Sequence, residues 1–179
     1  MKSMVSVDFF AVPTIRFDIL YVFLVLAHER RRIVHFAVTA HPTAEWTAQQ
    51  MREFPWDDAP RHLLRDRDRI FAKDFVDQVK CMGIKQVLSA PRSPWRSAYV
   101  ERLIGTLRRE CLDHMIVFSE RCLYRHLKSF TEYYHRSRTH LALDKDSPEP
   151  RPVQSPEAGR IIAIPEVGGL HHRYERRAA

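Results

Sequence analysis

Three carboxylates stand where a fold could put them to use. Asp8 lies inside an apolar run, Asp66 closes a short one, and Glu101 edges an amphipathic helix. Carboxylates gathered without lysine neighbours repel one another unless a divalent cation sits among them. Hard oxygen donors with water suit Mg²⁺, or Mn²⁺ in its place. Two such ions roughly 3.5–4 Å apart activate a water or hydroxyl and stabilise the leaving oxygen of a phosphodiester. Each acid also has a plainer reading. Glu101 could be a surface acid paired with an arginine, and Asp8 a turn residue at a strand end. Asp66 has a rival in Asp68, and either could cap the turn in Arg65-Asp-Arg-Asp-Arg69. Both face the same way in an extended segment, so alternation leaves that choice open.

The elements that must position these acids follow from hydrophobic spacing. Met4 to Phe10 alternates as a strand with Asp8 near its middle or end. Pro13-Thr14 interrupts that pattern. Leu20 to Leu26 is apolar on both faces, as in a covered sheet. Ile33 to Thr39 returns as its antiparallel partner after the charged link His28-Glu-Arg-Arg-Arg32. Thr43 caps a helix running to about Phe54, Arg61 to Arg65 forms a short strand, and Asp74 to Met82 is a helix closed by Gly83. Ile84 to Leu88 is the fifth strand. After the loop Ser89 to Ser97, Val100, Leu103, Ile104, Leu107 and Cys111 make one helical stripe, with Arg102 and Arg109 pointing away from it. Ser119 caps a further helix to about Arg138, striped by Leu123, Leu127, Phe130 and Tyr134. Three leading strands and two reached through helical crossovers predict an α/β layered domain on a mixed five-stranded sheet flanked by helices.

Composition narrows the partners. The 179 residues carry a formal charge of +7, which points to a polyanion, nucleic acid first. The longest apolar run, Ile19 to Ala27, is too short to span a bilayer and does not resemble a secretory signal. No membrane partner is expected. The three cysteines, Cys81, Cys111 and Cys122, are scattered and read as packing thiols of a reducing compartment. His171-His172 reads as a solvated doublet. Residues 1–143 are expected to form the core and 144–179 a proline-containing tail, with Pro148, Pro150, Pro152, Pro156 and Pro165. The tail's charges cancel, so the net positive charge resides in the core. Ile161 to Ile164 and Leu170 to Tyr174 could pair as a small hairpin around Gly168-Gly169.

The words around the acids resemble the catalytic core of insertion-sequence transposases of the retroviral-integrase type. They are Val7-Asp8-Phe9, Leu64-Arg65-Asp66-Arg67-Asp68, Ala90-Pro-Arg-Ser-Pro-Trp95 and Ala98-Tyr-Val-Glu101-Arg-Leu-Ile-Gly105. Arg108-Arg-Glu-Cys-Leu-Asp-His114 and Tyr133-Tyr-His-Arg-Ser-Arg-Thr-His140 extend the likeness over nearly the whole chain. That family carries an Asp, Asp, Glu triad with thirty-four residues between the last two acids. Thirty-four residues separate Asp66 from Glu101, which selects Asp66 over Asp68.

The resemblance implies a ribonuclease-H-like fold and a metal-dependent polynucleotidyl transferase that cleaves DNA at transposon ends and joins the freed 3′-hydroxyl to target DNA. Asp8, Asp66 and Glu101 would be both the catalytic residues and the ligands of Mg²⁺. Arg92, Trp95, Arg96, Arg102, Arg108 and Arg109 are the expected DNA contacts, with Gly105 leaving room for a strand to approach. DNA and further copies of the chain are the expected partners. The location implied is cytoplasmic, in a bacterium, nucleoid-associated when bound to DNA. Relatives generally carry a DNA-binding region ahead of this core, and Ser97 stands where many of them have Asn. Two other readings follow: a truncated, non-catalytic DNA-binding or regulatory transposase fragment, and a ribonuclease-H-like nuclease of another kind.

Overall fold

The computed structural model describes residues 4–53, 59–89 and 98–178. Strand β1 (Met4–Pro13) pairs antiparallel with β2 (Ile19–Ala27) along its whole length, and β2 pairs antiparallel with β3 (Ile33–Thr39). Strand β1 outruns the expected end at Phe10 because its pairing continues to Pro13 opposite Ile19. The turn between them is tied by the Thr14 N–H donating to the Asp18 carbonyl at 2.8 Å. Helix α1 (Ala44–Glu53) leads to β4 (His62–Arg65), which pairs parallel to β1. Helix α2 (Lys73–Cys81) then leads to β5 (Lys85–Leu88), parallel to β4. The sheet order is β3-β2-β1-β4-β5.

Alternation along β1 and β2 sorts two cores, one on each face. Phe10, Val12, Leu20, Val22, Leu24 and Leu26 join the stripe residues of α3 (Ala98–Glu110) and α4 (Glu120–Arg136) on one side. Val5, Val7, Phe23 and Val25 pack with Met51, Phe75 and Val79 of α1 and α2 on the other. Every residue of β2 from Leu20 to Leu26 except Tyr21 is buried, as a strand covered on both faces requires. Fully burying each such side chain contributes about 1.5–3 kcal/mol. Helix α4 begins where the sequence predicts, with the Ser119 Oγ accepting from the Cys122 N–H at 3.3 Å.

Beyond α4, β6 (Arg160–Glu166) and β7 (His171–Arg177) form an antiparallel hairpin docked on α4. Val167 enters the core shared with α3 and α4. His171 departs from its solvated reading: its ring stacks on Tyr133 with centroids 4.3 Å apart and planes at 7°, and its Nε2 lies 2.7 Å from the Glu110 carbonyl oxygen. The described cysteines are all free thiols, with Cys111 buried. Among the described residues, no helix is long and apolar enough to cross a membrane.

Candidate active site

Alternation puts Asp8 on the same face of β1 as Phe10 and Val12, the face covered by α3 and α4. Strands β1 and β4 run parallel with Ser6 opposite Leu64. Two residues beyond that last pair lie Asp8, still within β1, and Asp66, just past the end of β4. The charge of Asp66 reaches the Asp8 carboxyl from that strand end. Glu101 lies in the first turn of α3, which packs along β1.

The three acids share one electrostatic neighbourhood. The Asp8 carboxyl is pushed up to about 6, mainly by burial, against the Phe9 N–H that donates to its Oδ1 at 2.8 Å; Asp66, Glu101 and Asp68 add repulsion in that order. Asp68 is occupied locally, its Oδ1 accepting from the Ile70 N–H at 3.2 Å to cap the short helical turn Arg69–Phe71. Asp66 is tied as well, its Oδ1 accepting from the Asp68 N–H at 3.0 Å. Both, like Glu101, are exposed.

A half-buried carboxyl held in the field of three further acids is the donor chemistry that a hard divalent cation satisfies. The spacing is wider than a closed coordination shell. Among the described residues, no three His, Cys, Asp or Glu side chains stand close enough together to hold a metal ion.

Arg65 positions Asp66, and hydrophobic spacing did not single it out. Its guanidinium lies 5.8 Å from the Phe71 ring centroid, its Nε donates to the Gln86 Oε1 at 2.8 Å, and a terminal nitrogen donates to the Asp66 carbonyl at 3.0 Å. Shared parity with buried Leu63 was the available signal; the charged run Arg65 to Arg69 disguised it as a surface turn.

The expected DNA contacts divide. Arg92, Trp95 and Arg96 lie outside the described residues. Arg102 and Arg109 are exposed on α3, as is Arg108. Arg108 is anchored by donation to the Ala11 carbonyl at 3.1 Å and lies 5.7 Å from the Phe10 ring centroid. The space beside Gly105 differs from the open approach expected for it. A Cβ there would meet the Arg109 guanidinium at 3.0 Å, so the glycine makes room for a neighbouring side chain.

Residues 82–148 match the family described as integrase core domain. No curated protein sequence matches the chain. Its backbone resembles a chain of the simian T-cell lymphotropic virus intasome, with TM-score 0.66 and 14% identity over 97% of this chain and 66% of that one. The match thus spans just under two thirds of the intasome chain. The HTLV-2 integrase catalytic core domain, solved with magnesium in a trimeric form, gives TM-score 0.60 and 10% identity over 82% of this chain and 93% of that one. The catalytic domain of a mariner transposase gives 0.57 and 12%, over 73% and 70%. Identities this low speak for the fold alone. The chain thus has the fold of these integrase and transposase catalytic domains, and its residues 82–148 match the integrase core domain family.

Proposed function

We propose that this chain is the catalytic core of a transposase or integrase that cuts and joins DNA strands with Mg²⁺, for which Mn²⁺ substitutes. The observation that carries this reading is the Asp8 carboxyl, half-buried and raised to about 6 amid Asp66, Glu101 and Asp68. A protein gains nothing in stability from such crowding; a cation-dependent site does. Asp8 and Asp66 would hold the metal from neighbouring strands, and Glu101 would complete the set from α3. Bound there, divalent cations supply activation of the attacking hydroxyl and stabilisation of the leaving oxygen.

The chain's own residues would bind and aim the substrate. The net charge of +7 draws the DNA backbone. Arg108, already anchored to β1, presents its free guanidinium edge along the same line of α3 as Glu101. Arg102 and Arg109, with Arg92, Trp95 and Arg96 of the preceding loop, would take phosphates on either side. Assembly with further copies on DNA is part of this reading, in keeping with the intasome and trimeric forms of its structural neighbours.

A second reading, a non-catalytic DNA-binding or regulatory fragment, is favoured by one observation: the described acids do not close into a coordination shell. Labelled branched DNA and end-mimicking duplexes incubated with protein and Mn²⁺ decide between the two. The enzyme reading expects nicked and joined products, abolished in Asp66→Asn while DNA affinity is kept or raised by the lost negative charge. DNA binding without any cutting or joining supports the regulatory fragment and overturns the enzyme.

A further inference from the structure

Round α3 from Glu101, the helix presents Tyr99, Arg102 and Thr106 on one flank, spacing that places them side by side. Together with Arg31 from the β2–β3 link and Arg138 and His140 from the segment after α4, they line a cavity of about 330 Å³. That size falls in the range of small-ligand sites.

The hydrogen-bonding inventory of this cavity is one-sided. Arg138 spends its Nε and one terminal nitrogen on Glu110, at 2.7 and 2.6 Å, so its charge is already matched. Its other terminal nitrogen lies 3.2 Å from His140 Nδ1. A guanidinium can only donate, so Nδ1 must be the accepting nitrogen, and the proton of the neutral ring sits on Nε2. That N–H is buried, in a residue only 7% exposed, and has no partner. Arg31 lies 5.2 Å from the Tyr99 ring centroid, and neither Arg31 nor Arg102 joins an ion pair among the described residues. A cavity with two guanidinium groups outside any ion pair lacks an acceptor carrying negative charge.

We propose that this cavity is a phosphate-binding site, with Arg31 and Arg102 taking the charge beside the buried His140 ring. The phosphate belongs either to a nucleic-acid strand, which rests on the function proposed above, or to a small phosphate ester, which does not. Either ligand meets α3 through Tyr99, Arg102 and Thr106, roughly 100–160° round the helix from Glu101. The site is therefore separable from the metal chemistry.

The test is a titration of the full chain with inorganic phosphate in the presence of EDTA, following the His140 ring ¹⁵N signals and the thermal midpoint. Phosphate is expected to shift the Nε2 signal and raise the midpoint. Arg31→Gln is expected to weaken binding about tenfold, as loss of one charge-assisted contact does, while Arg125→Gln on the exposed side of α4 leaves it unchanged. The outcome with Arg31→Gln is decisive by itself. Single-stranded oligonucleotide that competes phosphate out of the cavity assigns a nucleic-acid strand as the source. Phosphate binding that no oligonucleotide displaces assigns a small ester. Absence of any phosphate shift in the wild type, or equal weakening by Arg31→Gln and Arg125→Gln, overturns the proposal. With no divalent cation and no turnover in the assay, its failure leaves the strand-joining reading standing, and the converse holds.

Discussion

Asp8 of β1 and Asp66 just past β4 lie on strands joined by the parallel pairing of Ser6 with Leu64, and the Asp8 carboxyl is raised mainly by burial, with the charges of Asp66, Glu101 and Asp68 adding to it. A pair of acids so arranged works against folding on its own, which makes its pH dependence measurable.

Because its folded-state value lies near 6, above the ordinary 3.8, Asp8 favours the fold while protonated. That contribution is fully present at low pH and is lost as pH rises from about 4 through about 6. Asp8→Asn, which keeps an oxygen for the Phe9 N–H, should therefore stabilise the protein at pH 7.5 by on the order of 2–3 kcal/mol. Urea unfolding in EDTA should show the gain at pH 7.5 and little of it at pH 4.5. A variant less stable than wild type at pH 7.5 would contradict this electrostatic picture.

Two histidines act in the opposite sense. His135, whose Nε2 accepts from the Ile33 N–H at 3.0 Å, and His140, beside Arg138 and Arg31, are each lowered to about 4, mainly by burial. Their stabilisation is complete above about 6.5 and is lost as pH falls toward 4. Between pH 7.5 and 5 each ring should cost on the order of 1–2 kcal/mol of stability. Histidine ring NMR should show both rings still neutral at pH 5.5. Either ring titrating near 6.5 in the folded protein would remove that share.

Gly105 sits in the middle of α3, where glycine costs about 1 kcal/mol relative to alanine. Only the far end of the Arg109 side chain meets an added methyl, and that end can swing aside. Gly105→Ala is expected to raise stability by about 0.5–1 kcal/mol in thermal unfolding. A loss of more than 1 kcal/mol would mean that the Arg109 packing is worth more than the helix propensity.

Much of the fold was open to inspection in the sequence because its strands alternate cleanly. Residues Leu20 to Leu26, apolar on both faces, mark a strand buried from both sides, and β2 is that strand. Thr43, Gly83 and Ser119 punctuate helices through local chemistry, so their positions could be read without knowing what lay across the sheet. What escaped depended on distant segments. The Arg65 guanidinium is buried because β4 runs inside the sheet between β1 and β5, which no spacing within Arg61 to Arg69 reveals. His171 looked like part of a solvated doublet until the hairpin folded it onto Tyr133. The choice of Asp66 over Asp68 came from resemblance, since both share one parity, and both charges act on Asp8. The lone donor on His140 exists only through Arg138, two residues away but turned back by the chain after α4.

The central claim is that Asp8, Asp66 and Glu101 act as one divalent-cation site. Its most direct test is Mn²⁺ binding followed by electron paramagnetic resonance, in wild type and in Asp8→Asn, Asp66→Asn and Glu101→Gln, with and without a DNA duplex. The account predicts saturable binding in the wild type that weakens at least tenfold in each of the three variants, with Asp68→Asn nearly unaffected. Binding that survives the loss of Asp66 or Glu101, or that disappears only with Asp68, would contradict it.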